Sequence, residues 1–193
     1  MGAVIVGADG IARCPWATGS PALAEYHDTE WGLPVRSERG LFERLCLEAF
    51  QAGLSWSTVL GKRPALREAF ADFDPDAVAD LTDARLEQIL TDARLIRNRA
   101  KVFACRTNAR AVQRLRSGDG LAAVIWAHRP RVAPPETAGQ VPTRSPESAA
   151  MAKALKSHGL TFVGPVSCFA LAEAAGLVDT HLVGCHRRGA GAR

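Results

Sequence analysis

The sequence predicts an all-α fold, and three observations carry that prediction. Apolar residues recur at helical spacing in one segment after another. The segments are punctuated by Ser, Thr or Asp caps, by Pro in a first turn and by Gly behind the last turn. No run alternates apolar and polar residues as a half-buried strand would. A chain of 193 residues is long enough for one domain with a core that needs no disulfides. Residues 1–12 are expected to be a flexible lead-in, 13–188 a single domain, and 189–193 a frayed tail.

In chain order, Arg13–Gly32 mixes polar and aromatic residues without clean periodicity and is expected to be loop and short helix; a helix over Leu23–Trp31 puts His27 and Trp31 on one face. Ser37 caps a helix running to Ala52, which Gly53 breaks. Ser55–Leu60 begins another, and Pro64 is expected to open its continuation through Phe70. Asp74-Pro75 caps a short helix to Leu81. Thr82 caps the next, where Leu86, Ile89, Leu90 and Ala93 recur at helical spacing. A long helix follows over Asn98–Ser117, closed by Gly118, and then a helical Gly120–His128. Arg129–Pro146, rich in Pro, Gly and Thr, is the one long loop. Ser145-Pro146 starts a helix ending at Gly159, and Gly164-Pro165 starts another ending at Gly176.

The Ser37–Ala52 segment carries the first chemical signal. At about 100° per residue its apolar stripe is Leu41, Phe42, Leu45, Ala49 and Ala52, and Glu48 points along the middle of it. A carboxylate in hydrocarbon is costly unless it gains a partner or a proton. The bland reading is one satisfied Glu in an apolar wall. The sharper reading is a pocket for a planar ligand, because Trp56 follows directly and Trp16, Tyr26 and Trp31 fall in the same N-terminal region.

Two other sets of residues bear on function. The chain has five cysteines, an odd number; with no recognisable secretion signal they are read as reduced thiols in a cytoplasmic protein, available to metals. Cys14, His27, His181 and Cys185 are the residue types that bind zinc, with His186 and Cys168 as rival ligands; four protein ligands would leave no open position, so such a zinc is structural. Arg94–Arg116 holds Arg94, Arg97, Arg99, Lys101, Arg106, Arg110, Arg114 and Arg116 and no acid. In a protein of formal charge +4 and pI near 9.0 that block favours phosphate contact over a solvated face balanced by nearby acids. No stretch approaches the roughly 20 apolar residues of a membrane span.

The motifs Arg13-Cys-Pro-Trp16, Glu25-Tyr-His-Asp-Thr-Glu-Trp-Gly32, Leu47-Glu-Ala-Phe-Gln-Ala-Gly-Leu-Ser-Trp56, Phe73-Asp-Pro75, Ile96-Arg-Asn-Arg-Ala-Lys101, Phe162-Val-Gly164 and Gly176-Leu-Val…His181-Leu-Val-Gly-Cys185 together resemble the 3-methyladenine DNA glycosylase I family, the Tag-type enzymes of the helix-hairpin-helix superfamily. The resemblance covers residues 13–185. It implies a helix-hairpin-helix glycosylase-like bundle whose N- and C-terminal segments are clipped by a structural Zn2+ on Cys14, His27, His181 and Cys185. It implies that Glu48 and Tyr26 hydrogen-bond an extruded base while Trp16 and Trp56 stack on it. Two departures stand out: Ala49 replaces the Gly common after that Glu, and Arg94 stands where a small Gly is usual.

On this resemblance the chain is expected to release 3-methyladenine from alkylated double-stranded DNA as a monomer, leaving an abasic site. Glu48, buried and ionised, accepts from the amino edge of a cationic base; Leu54 is the wedge, and Arg97, Arg99 and Lys101 are the phosphate contacts. No lysine is placed as a Schiff-base nucleophile, so no lyase step is expected. The main alternative is a noncatalytic zinc-containing DNA-binding module, which would not need Glu48.

Overall fold

The computed structural model describes residues 3–191. Nine α-helices are found among them: α1 (Pro21–Thr29), α2 (Glu38–Gln51), α3 (Trp56–Ala69), α4 (Pro75–Ala79), α5 (Asp83–Thr91), α6 (Arg99–Leu115), α7 (Gly120–Trp126), α8 (Pro146–Ser157) and α9 (Pro165–Ala174). The caps read from the sequence close their helices. Ser37 accepts from Gly40 N, Asp74 from Asp76 N and Ala77 N, Thr82 from Arg85 N and Ser145 from Ser148 N.

Two expectations need correction. The lead-in is not strand-free: β1 (Ile5–Val6) pairs antiparallel with β2 (Ala12–Arg13), Ile5 opposite Arg13. The hairpin is fixed by its own turn, where Ile11 N donates to Asp9 Oδ1 at 3.1 Å, and by Arg13, which pairs with Asp9 at 2.8 Å and Asp28 at 2.7 Å. Second, Pro64 does not open a new helix but lies inside a continuous α3. Of the frayed tail, residues 192–193 lie outside the described residues; Gly189 N donates to Asp179 Oδ2 at 2.8 Å.

Helix α2 is the axis of the fold. It packs against α3, α6, α7 and α9, so burial runs round it rather than along one stripe: Phe42, Leu45, Cys46, Leu47, Ala49 and Phe50 are all buried. This also buries Glu43 on the face away from Glu48. Arg63 Nε donates to Glu43 Oε1 at 2.9 Å and Arg67 Nε at 2.6 Å, while Arg63 reaches Glu30 at 2.7 Å. A buried carboxylate removed from water needs such partners; the network joins α2 and α3 to the end of α1. Ala49, the first departure, fits this surround at 2% exposure.

The basic block folds differently from its phosphate-binding expectation. Arg106 pairs with Asp83 at 2.5 Å, and Arg116 with Glu38 at 2.6 Å and Asp76 at 2.8 Å. Arg110 donates to the Ala79 carbonyl at 3.0 Å. Arg94 pairs with Asp92 and Glu68, each at 2.8 Å; its φ is not positive, so the α5–α6 turn accepts a side chain there. The balancing acids are near in sequence for some (Asp83, Glu87, Asp92) and distant for others (Glu38, Glu68, Asp76), and they pair Arg94, Arg99, Arg106 and Arg116, half of the block's cations.

Candidate active site

The ends of α2 and α3 meet the N-terminal aromatic segment, α9 and the 138–143 loop around a cavity of about 450 Å³, within the usual size of a small-ligand pocket. Trp16 comes from a 3-10 turn at Pro15–Gly19, Tyr26 from α1, Glu48 and Gln51 from the last turns of α2, and Trp56 from the first residue of α3. Tyr26 lies between the two tryptophans, its ring 6.3 Å from Trp16 and 5.2 Å from Trp56. Trp31 is edge-on to Trp16 at 5.1 Å. The structure therefore brings together Trp16, Tyr26, Glu48 and Trp56.

Glu48 is 7% exposed. Burial first, and the nearby carboxyl of Glu173 second, push it up to about 8. The sequence reading has Glu48 ionised against a cationic base; the protein's own surroundings, an apolar wall and a second carboxyl, favour the protonated form. Tyr26, likewise buried and next to Glu48, has its hydroxyl held well above the ordinary range and is a neutral hydrogen-bonding group. Glu173, on α9, was not singled out from sequence. It lines the same cavity, accepts a 2.6 Å hydrogen bond from Thr180 Oγ1, and is raised by burial to about 7. The signal existed: Glu173 is the lone charge in Pro-Val-Ser-Cys-Phe-Ala-Leu-Ala-Glu-Ala.

Behind the aromatic wall the predicted metal ligands converge. The donor atoms of Cys14, His27 and Cys185 lie within 4.8 Å of one another, and the His181 ring is 5.2 Å from that of His27. Both imidazoles are oriented by carboxylates, His27 Nδ1 by Asp28 and His181 Nδ1 by Asp179, each at 2.8 Å. That leaves His27 Nε2 free to face Cys185 Sγ, at 3.4 Å, and His181 Nε2 is buried with no hydrogen-bond partner among the described residues. Cys185 is pulled toward the thiolate by hydrogen bonds from Cys14 first and His27 second. A carboxylate-oriented pair of imidazoles with two cysteines, one poised as thiolate and one imidazole nitrogen orphaned, fits zinc. Of the rivals, His186 Nδ1 faces the Ala12 carbonyl at 3.0 Å and Cys168 is buried in the core on α9. Gly32 makes the convergence possible: at φ +79° a Cβ would stand 2.6 Å from His181 Cε1, so a side chain is excluded twice over.

The proposed DNA contacts separate into two groups. Leu54 (38% exposed) sits beside Gly53, whose φ of +83° makes the α2–α3 turn. Arg97 is exposed in the α5–α6 turn and lines a shallow groove with Leu54. Arg99 is exposed but paired with Glu87. Lys101 is not a surface cation at all: it is 6% exposed and Nζ donates to the carbonyls of Phe50 at 2.8 Å and Ala52 at 2.5 Å. The end of α2 leaves carbonyls without helical donors, and Lys101 fills that need, fixing the turn that bears Leu54. Lys62 does the same for the other loop, donating to the Ala93 and Arg94 carbonyls at 3.2 and 2.9 Å.

A sequence model described as methyladenine glycosylase matches residues 16–188. The chain is 42% identical over 177 residues to DNA-3-methyladenine glycosylase 1 of Escherichia coli (strain K12), spanning 90% of this chain and 95% of the relative. A crystal structure of 3-methyladenine DNA glycosylase I (TAG) aligns with a TM-score of 0.88 at 40% identity, covering 91% of this chain and 99% of that one. A variant of a 3-methyladenine DNA glycosylase I in complex with 3-methyladenine aligns with a TM-score of 0.86 at 33% identity, covering 91% and 97%.

Proposed function

The chain belongs to the methyladenine glycosylase family, and on that premise we propose that its cavity receives 3-methyladenine turned out of alkylated duplex DNA and that the C1′–N9 bond is hydrolysed there, giving free base and an abasic site. The observation that carries this reading is Glu48: a nearly buried carboxyl that makes no hydrogen bond among the described residues, on the wall of an aromatic cavity. Such a group awaits a ligand that brings both a donor and a positive charge, and an N3-methylated adenine still joined to its sugar brings both.

The base must first leave the duplex, at a cost of a few kcal/mol that is lower for a damaged base. Leu54, on its turn anchored by Lys101, fills the gap; Arg97 meets the backbone. Within the cavity Trp16 and Trp56 hold the ring by stacking and cation–π attraction, Glu48 accepts from the exocyclic amino edge, and Tyr26 adds a second polar contact. The cationic ring is already a good leaving group, so water adds at C1′, the bonding pair leaves with the base, and the water's second proton passes to solvent. The weight of the reaction lies on recognition. Cys14, His27, His181 and Cys185 would hold a zinc ion that would supply structural cross-linking and no chemistry, tying the segment bearing Trp16 and Tyr26 to the far end of the chain. Among the described residues no helix is long and apolar enough to cross a membrane, and the bacterial relative supports work on the chromosome in the cytoplasm.

The test is incubation with alkylated DNA and chromatographic identification of the released base. Release of 3-methyladenine is expected, greatly weakened in Glu48→Gln and Glu48→Ala while nonspecific DNA binding persists. Normal excision by Glu48→Ala would overturn the role given to this residue.

A further inference from the structure

The cavity contains two acids and no base. Glu48 and Glu173 both line it, yet no Lys, Arg or His does among the described residues. Buried charges are ordinarily paired, and a neutral purine, which offers one donor edge, calls for one carboxyl rather than two. The missing positive charge is therefore the ligand's.

The two carboxyls are not equivalent. Glu173 accepts from the Thr180 hydroxyl, a donor that favours its anion, whereas Glu48 accepts no such bond from the described residues, and only burial and the Glu173 charge act on it. Burial lifts Glu173 to about 7 and Glu48 to about 8. Of two interacting acids, the one with a donor holds the shared negative charge and the other keeps the proton.

We propose that Glu173 is a specificity-determining residue of this cavity, supplying the negative charge that selects a positively charged purine ring over a neutral one, while Glu48 makes the hydrogen bond to its edge. The proposal rests on the glycosylase reading above and adds a consequence to it. The bonding pair that leaves C1′ neutralises the ring, so the attraction that held the substrate is lost on the product, and the same residue that favours capture favours release.

The test compares two small probes on the full chain, neutral 3-methyladenine and the 3,9-dimethyladeninium cation, with binding read from tryptophan fluorescence. The wild type is expected to prefer the cation by at least about tenfold, as one charge acting across a partly buried site should. Glu173→Gln keeps the shape of the side chain and an oxygen for Thr180; it is expected to lose most of that preference, bind the neutral base as before, and excise 3-methyladenine more slowly. An unchanged preference, or an equal loss for both probes, would mean that Glu173 only fills space and would overturn the proposal. Should Glu173→Gln fail to fold, equal affinity of the wild type for the two probes would overturn it just as well. Wild-type protein that releases no base from alkylated DNA would sink the glycosylase reading itself, whereas intact release with no cation preference would sink only the role of Glu173.

Discussion

Replacing Lys101 with Met separates an internal strut from a DNA contact. Met keeps most of the length of the side chain and deletes the ammonium that donates to the Phe50 and Ala52 carbonyls at 2.8 and 2.5 Å. A hydrogen bond involving a charged group contributes about 1.5–3 kcal/mol. The Phe50 bond is buried and is lost outright; the Ala52 residue is exposed, so its carbonyl turns to water at smaller cost. Against these losses stands the relief of burying no charge, which is what holds the Lys101 ammonium below its ordinary pKa. The net destabilisation is about 2 kcal/mol, or a fall in Tm of about 4–8 °C for a chain of this size. Because the turn bearing Leu54 and Trp56 loosens, excision falls too, while the dependence of nonspecific DNA affinity on salt stays that of wild type. Arg97→Ala is the mirror image: stability unchanged, and the slope of log K against log salt reduced by about one. Thermal unfolding and salt-titrated DNA binding read both. If Lys101→Met were as stable as wild type and lost about one unit of salt slope, Lys101 would face phosphate and the strut would be wrong.

The raised pKa of Glu48 sets a second expectation. A carboxyl that titrates near 8 when folded and near its ordinary acidic value when unfolded makes the native state the better proton binder between those limits. Its contribution is therefore present below the unfolded pKa and is lost as pH rises towards 8. Urea unfolding of Glu48→Gln should show a stability gain over wild type that grows from pH 5 to pH 8, by up to a few kcal/mol; a constant difference would refute the shift. One zinc per chain is expected in freshly purified protein, with a lowered Tm on chelation and in Cys185→Ser; a metal assay finding none would reject the four-ligand site. Leu54→Ala should slow base release from duplex DNA while leaving the affinity for free 3-methyladenine unchanged, and equal losses in both would remove it as a wedge.

What could be seen in the sequence follows a physical divide. Capped helices were legible because their signals are local: Asp74 before Pro75, Thr82 before Asp83 and Ser145 before Pro146 close their own first turns. Glu48 was legible because a charge among apolar neighbours needs no knowledge of partners. Glu173 obeys the same logic, as the lone charge of α9. Glu43 was hidden, because a helix packed on several sides has no polar face to betray it, and Arg63 and Arg67 lie 20 and 24 residues away. The basic block was half legible: Asp83, Glu87 and Asp92 lie close enough in sequence to be read as balancing acids, whereas Glu38, at 78 residues from Arg116, is remote. A two-residue strand is too short to alternate, so the hairpin left no pattern at all.

The meeting of His27 with Cys185 has a bearing on how the molecule comes into being. The two are 158 residues apart, so this contact closes a loop spanning most of the chain, and its entropic cost grows only slowly with that length. Long-range closure is nonetheless slow. The helical core, with α1 held to it by Arg63 and Glu30, can assemble during synthesis from its local caps and neighbours, but the cysteine–histidine contact behind the aromatic wall stays open until residue 185 has been made. A partly made chain would thus own a fold without owning a binding cavity, and capture of DNA bases would begin only after that last fastening.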